Sequence, residues 1–329
     1  MTIAATSGEN RTESGLVVGV DVGGTKVAAG VVDVTGAIVA SVRRPTPTHE
    51  PAEVADTIDA AVAELRAAVG PESVRAVGIG AAGWIDRERS HVLFAPNLAW
   101  RNEPLRDEVS ARTGLPVVVE NDANAMAWGE YRFGAGRGHD DLVCVTVGTG
   151  IGGGIVLGGR LYRGRFGIGG EIGHMQLVAG GHLCGCGNRG CFEQYGSGRA
   201  LVRTARELVS TSPAAGRRLL ESADGDVTRL TGPAITAAAQ EGDPLAVKCF
   251  EEIGSWLGRG LASLAAILDP GRFVVGGGVA EADDLLLGPA RAEFRNSLSG
   301  RAYRPEADIV VAELGPPAGI IGAADLARH

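Results

Sequence analysis

Two glycine-rich turns of one design constrain this chain more than any other feature. Asp21-Val-Gly-Gly-Thr25 separates β-branched runs at 16–20 and 27–33, and Gly148-Thr-Gly-Ile-Gly152 separates runs at 141–147 and 153–157. A strand, a glycine turn carrying threonine and a second strand form a hairpin-like unit. Its recurrence predicts a duplicated, two-lobed α/β chain, and 329 residues of 45% apolar content suffice for two cores. The expected division is a flexible polar tail at 1–15, a small α/β lobe at 16–120 and a large α/β lobe at 121–314.

Residues 37–42 extend the first hairpin into a meander. Pro51–Val69 carries Val54, Ile58, Val62, Leu65 and Val69 at helical spacing, with proline in the first turn and Gly70 at the stop. Residues 74–80 and 115–119 read as buried strands, the second delivering Glu120, Asn121 and Asp122 to a helix at 123–131. Further on, 211–231 reads as an exposed, turn-rich excursion, Pro244–Leu268 as a long helix, 272–275 as a strand and 317–328 as a closing small-residue helix.

Phosphate oxygens need converging N–H donors, and glycine lets backbone approach them without a Cβ in the way. Three loops qualify. The turn ending at Lys26 offers Gly23, Gly24 and Thr25, with Asp21 placed to hold Mg²⁺ through water. Gly148-Thr149-Gly150 is the second, and Gly276-Gly277-Gly278 is the third. None follows the P-loop pattern or sits in a G-x-G-x-x-G strand-to-helix unit, so neither of those nucleotide folds is expected.

Asp122 follows a buried strand and heads a helix, so it reads either as a helix N-cap or as a carboxylate that takes a hydroxyl proton during phosphoryl transfer. Asn121 beside it can fix a hydroxyl through its amide. His174, Cys184, Cys186 and Cys191 form His-x9-Cys-x-Cys-x4-Cys, a donor set for tetrahedral Zn²⁺ with no open position, hence structural. Cys-x-Cys is poorly placed for mutual disulfide bonding. Cys144 and Cys249 lie in apolar patterns and read as core thiols. Glu171 and Glu193 flank the metal loop, where carboxylates and the spare imidazole N–H can clasp vicinal sugar hydroxyls.

Net charge is −8, which gives no basic footprint for nucleic acid and repels anionic membranes. No apolar run is long enough to span a bilayer and the first residues lack a hydrophobic export signal, so a cytoplasmic protein is expected.

Together these segments resemble the ROK family of sugar kinases and repressors. The resemblance runs through Asp21-Val-Gly-Gly-Thr-Lys26, Glu120-Asn-Asp-Ala-Asn124, Val147-Gly-Thr-Gly-Ile-Gly-Gly-Gly154, Gly170-Glu-Ile-Gly-His174, Cys184-Gly-Cys-Gly-Asn-Arg-Gly-Cys191 and Glu193-Gln-Tyr-Gly-Ser-Gly198. It implies an actin-like ATPase (ribonuclease H-like) fold, two lobes around a central cleft, with a C-terminal helix at 315–329 rejoining the first lobe. It implies Asp122 as general base, with Gly83, Asn97, Asn121, Glu171, His174 and Glu193 around the hexose. The turns from Asp21 to Lys26 and from Gly148 to Gly150 would take the phosphates of ATP with Mg²⁺, and Gly276 and Gly277 the adenosine side. The implied activity is ATP-dependent phosphorylation of glucose to glucose 6-phosphate by a homodimer or homotetramer carrying structural Zn²⁺. N-acetylmannosamine, N-acetylglucosamine and fructose are the alternative sugars, and polyphosphate an alternative donor. A repressor is disfavoured because residues 1–15 are too few for a helix-turn-helix.

Overall fold

The computed structural model describes residues 15–47, 51–95, 98 and 100–328. They form two compact units: unit 1 holds the described residues up to Gly138, together with Gly154–Gly170 and the chain from Glu313 onward, and unit 2 holds His139–Gly153 and Glu171–Ala312. In chain order the first elements are β1 (Leu16–Val22), β2 (Lys26–Val32), β3 (Ile38–Pro45), α1 (Pro51–Val69), β4 (Val74–Ala81), β5 (Trp84–Ile85), β6 (Val92–Phe94), β7 (Arg101–Glu103), α2 (Leu105–Thr113), β8 (Val117–Asn121) and α3 (Asp122–Phe133). There follow β9 (Leu142–Val147), β10 (Ile151–Leu157), β11 (Arg160–Tyr162), α4 (Glu193–Gly196), α5 (Gly198–Thr211), α6 (Arg217–Glu221), α7 (Gly232–Gln240), α8 (Pro244–Leu268), β12 (Arg272–Gly276), α9 (Asp284–Ser297), β13 (Asp308–Val311) and α10 (Ala318–Leu326).

Unit 1 is built on a sheet of order β3-β2-β1-β4-β8. The β1–β2 and β2–β3 pairs are antiparallel hairpins, whereas β1, β4 and β8 run parallel. Side chains alternate across a strand, so Val18, Val20 and Val22 of β1 pack with Val54, Ile58, Val62 and Leu65 of α1. Val17 on the opposite face packs with Ile320, Ile321 and Ala324 of α10.

On that second face α10 touches the sheet backbone to backbone. A Cβ at Gly19 would stand 1.9 Å from the Ile320 carbonyl oxygen, and one at Gly78 would stand 1.8 Å from that of Ala323. Only glycine permits so close an approach. Two buried carboxylates hold the same seam. Glu130 of α3 accepts backbone N–H bonds from Ala135 (2.9 Å), Glu313 (3.1 Å) and Leu314 (2.8 Å), and Asp325 of α10 accepts from Trp128 Nε1 (2.8 Å) and Arg132 Nε (3.1 Å). The division differs from the expected one at this point. Helix α3, placed by sequence in the lobe 121–314, belongs to unit 1 because it packs on α10 and β4, and Gly154–Gly170 joins unit 1 as well.

The second sheet has the order β11-β10-β9-β12-β13, with β9, β12 and β13 parallel. In unit 2, α8 is capped by Asp243, whose Oδ1 accepts from Leu245 N (3.0 Å) and Ala246 N (2.9 Å), and starts on Pro244. It buries Phe250, Ile253, Leu257 and Leu261. The stretch 211–231 is not simply an exposed excursion: α6 forms within it because Leu219 finds full burial, and Ala223 and Leu230 are buried too. Among the described residues no helix is long and apolar enough to cross a membrane.

Gly78→Ala should therefore cost about 3 kcal/mol, the upper part of the usual range for overpacking, because neither the strand nor the α10 backbone can yield independently. Urea unfolding measures it, and parental stability in this variant would contradict the backbone contact.

Candidate functional site

In unit 1 the parallel strands β1, β4 and β8 end side by side. Asp21 pairs in register with Gly80, and Ala81 with Asn121. The carboxyl-terminal edge of such strands is where α/β folds assemble sites. Asn121 is the N-cap of α3: its Oδ1 accepts from Asn124 N at 3.0 Å, and its Nδ2 donates to the Gly83 carbonyl at 3.0 Å. Asp122, which the sequence left as either cap or base, is thus the first residue inside the helix and does not cap it. Its Oδ1 accepts from the N–H of Ala123 at 2.9 Å. Gly83 is confined as well, since a Cβ there would meet the Phe94 carbonyl oxygen at 2.6 Å. Asn97 lies outside the described residues.

Both carboxylates of this edge resist ionisation. Burial, reinforced by the nearby Asp122 carboxylate and opposed by Lys26, raises Asp21 to about 6. Burial likewise lifts Asp122, against the N–H of Ala123, its own N–H and the Asn121 side chain. The β1–β2 turn next to Asp21 is closed by Gly23 N–H to the Lys26 carbonyl (3.0 Å) and pinned by Thr46 Oγ1 to the Gly23 carbonyl (2.8 Å). Thr25 and Lys26 are left exposed. A turn offering hydroxyl, ammonium and glycine N–H beside two crowded carboxylates suits a phosphate–divalent cation pair.

The other two glycine loops meet in unit 2. Val279 N donates to the Val147 carbonyl (3.0 Å) and Gly198 N to the Gly148 carbonyl (2.8 Å), which draws together the β9–β10 turn, the loop after β12 and the start of α5. Gly148, Thr149, Gly198 and Gly278 line one cavity of about 1200 Å³, walled further by Leu230 and Pro233. Ser197 caps α5 and Thr231 caps α7, so two helix N-termini open near this cavity's glycine and proline walls. Sequence reasoning missed α5 and α7 as cavity walls. The cap-plus-glycine starts Ser197-Gly198 and Thr231-Gly232 were their only local signal.

The four metal-type residues converge in unit 2, every donor atom within 4.8 Å of the others. Cys186 Sγ and Cys191 Sγ are 3.7 Å apart, and Cys184 Sγ and His174 Nδ1 are 3.6 Å apart. A tetrahedral zinc with its usual bond lengths sets sulfur–sulfur edges of about 3.8 Å and sulfur–nitrogen edges of about 3.5 Å. The donor set therefore fits that ion. Without a cation, burial pushes the Cys184 and Cys191 thiols up. A dication reverses that preference. With Nδ1 facing the thiols, Nε2 of His174 is turned toward Glu171, whose Oε2 is 3.8 Å away.

Glu193 joins the two parts of unit 2. Its Oε1 lies 3.0 Å from Cys184 Sγ, and its Oε2 stands 2.5 Å from where a Cβ of Gly150 would be. Phe192 next to it is fully buried, its ring filling the place of a side chain at Gly260 of α8. The tilted contact of Tyr195 with Trp256 (4.7 Å between centroids, 44° between planes) holds the same short helix to α8.

Asp21 yields a stability test. Its carboxyl binds its proton more tightly folded than unfolded, so its stabilising contribution is complete below about pH 3.8 and is lost as pH rises through about 6. Asp21→Asn should then match the parent near pH 4 and exceed it by up to about 3 kcal/mol at pH 8. Melting curves across pH decide this; a pH-independent difference would contradict it.

Residues 17–329 match the model of the ROK family. The glucokinase of Streptomyces coelicolor is 53% identical over 315 residues, covering 96% of this chain and 98% of that protein. The glucokinase of Thermotoga maritima is 37% identical, covering 95% and 97%. Among solved structures, a ROK family glucokinase from Streptomyces griseus in complex with glucose and AMPPNP superposes with a TM-score of 0.87 at 54% identity, over 95% of this chain and 99% of that one. The α/β architecture is thus that of the actin-like sugar kinases. With the match spanning nearly every described element, and with both glycine turns, the Glu-Asn-Asp segment and the Cys/His cluster in place, this chain belongs to the ROK family.

Proposed function

We propose that this chain is an ATP-dependent glucokinase, transferring the γ-phosphoryl group of ATP to glucose to form glucose 6-phosphate. The observation that carries this reading is the arrangement at the end of β8, where Asn121 caps α3 and leaves Asp122 a half-buried carboxylate with no capping duty. Phosphoryl transfer asks little covalent chemistry of a protein, and positioning plus charge stabilisation suffice. Asp122 accepts the proton of the sugar hydroxyl as its oxygen attacks phosphorus. A carboxyl raised by burial is a better base for that task than an exposed one.

The remaining roles follow from donor chemistry. Gly24, Thr25 and Lys26, with Thr149 and Gly150, donate to phosphate oxygens, while Gly23 and Gly148, whose N–H groups close their own turns onto the Lys26 and Gly150 carbonyls, let the phosphates approach the backbone without a Cβ in the way. Gly276 and Gly277 and the apolar walls at Leu230 and Pro233 take the adenosine. Asp21 would hold Mg²⁺ through water, and that ion supplies charge neutralisation on the phosphates when bound. Gly83, Asn97, Asn121, Glu171, His174 and Glu193 bind the hexose, His174 donating from Nε2. His174, Cys184, Cys186 and Cys191 would hold Zn²⁺, which cross-links the loop that carries those sugar ligands.

A coupled ADP-release assay with ATP and a panel of glucose, fructose, N-acetylglucosamine and N-acetylmannosamine tests the activity. Glucose should be the preferred acceptor, and Asp122→Asn should lower kcat by about 100-fold or more while glucose affinity changes only a few-fold. Absence of phosphorylation on every sugar would defeat the proposal. Elemental analysis should find about one zinc per chain, lost in Cys184→Ser together with several degrees of melting temperature; a metal-free, equally stable parent would refute the assignment.

A further inference from the structure

Glu120 is 1% exposed and both its oxygens are occupied. Oε1 accepts from Asn121 N at 2.9 Å and from Asn124 Nδ2 at 3.1 Å. Oε2 accepts from Arg89 Nε at 3.0 Å and lies 2.7 Å from Arg163 Nε. The carboxylate is therefore unable to act on substrate itself, and its contacts embrace the two residues on either side of Asp122: the N-cap whose peptide N–H it holds, and the third helical residue whose amide it holds.

The two arginines are themselves held tightly. Arg163, 11% exposed at its side chain, donates from Nη1 to the Arg87 carbonyl and from Nη2 to the Asp86 carbonyl, both at 2.8 Å. Arg89 sits at φ 55°, a left-handed conformation that glycine or asparagine adopts at lower cost. Its carbonyl accepts from Val119 N at 3.2 Å, in the strand that leads to Glu120. The backbone cost at this position accompanies a side chain that reaches Glu120. Replacing such a buried ion cluster by apolar residues is often neutral or stabilising, so stability alone does not account for it.

We infer that Glu120 is a positioning residue: clamped by Arg89 and Arg163, it fixes the first turn of α3 and thereby the direction of the Asp122 carboxylate. This rests on the assignment of Asp122 as base. Misplacing a reacting group by about 1 Å can cost on the order of 100-fold in rate, whereas sugar and nucleotide contacts made elsewhere persist.

The test is a double-mutant cycle on kcat, with Glu120→Gln, which keeps the shape and removes the charge. Expected is a fall in kcat of about 10- to 100-fold per folded molecule, with the KM values for glucose and ATP within about threefold of the parent. Adding Glu120→Gln to Asp122→Asn should then change the residual turnover by less than about twofold, because Glu120 acts only through Asp122. A merely structural role predicts equal losses in both backgrounds, and that result overturns the inference, as does parental kcat in Glu120→Gln. Should Asp122→Asn itself retain full turnover, the base assignment fails instead. Arg163→Gln, which weakens the clamp from its other end, carries the same readings if Glu120→Gln does not fold.

Discussion

The contact of α10 with the backbone of β1 and β4 is the constraint on which unit 1 depends. A helix normally stands off a sheet by the depth of its side chains. Here Gly19 and Gly78 remove that spacing, and the helix carbonyls approach to distances that a single methyl group would forbid. The last helix of the chain is thereby fixed against its first strand, and α3 is held against α10 by Glu130 and Asp325, buried carboxylates whose oxygens are taken up by backbone N–H groups, an indole and a guanidinium. Since α3 begins with Asp122 and Asp21 is the penultimate residue of β1, the same packing sets the stage for both acidic groups.

Burying Asp21 at a strand edge, with the Asp122 carboxylate close by as a smaller contribution, raises its pKa and costs stability once it ionises. That cost marks a site more than a scaffold, because a surface acid would simply turn into water. Unit 2 uses a different device. There Glu193 lies between a metal-type thiol and the Gly148–Gly150 turn, and a loop with little regular structure is anchored by Phe192 driven into α8 and would be stiffened further by a metal on its donor cluster. A Gly-rich segment without either anchor would sample many conformations, and a carboxylate carried on it would be poorly aimed.

Much of the fold was legible because the relevant signals are local. Helical spacing marked Pro51–Val69 and Pro244–Leu268, and β-branched runs marked β1, β4 and β9. The division into units was less legible: chain order places α3 in the lobe 121–314, and only its packing on α10, almost two hundred residues distant, brings it into unit 1. The short strands β5, β6 and β7 were also unmarked, since two- and three-residue strands carry no periodicity. For the candidate site, the glycine loops and the Cys/His set were visible as residue types. The walls contributed by α5 and α7 were not, because ordinary amphipathic helices acquire that role only through what they face.

By itself the sequence determined the chemistry available: donors for phosphate, four ligands for a tetrahedral ion, and a carboxylate after a strand. Spacing along the chain is enough for these because each depends on near neighbours. Tertiary structure alone decided that Asn121 and not Asp122 caps α3, that Glu120 is enclosed by Arg89 and Arg163, and that Glu193 lies between Cys184 and Gly150. Those are contacts between side chains and loops brought together by packing, and whether a carboxylate is free or fully engaged is a property of its surroundings, which no local pattern encodes.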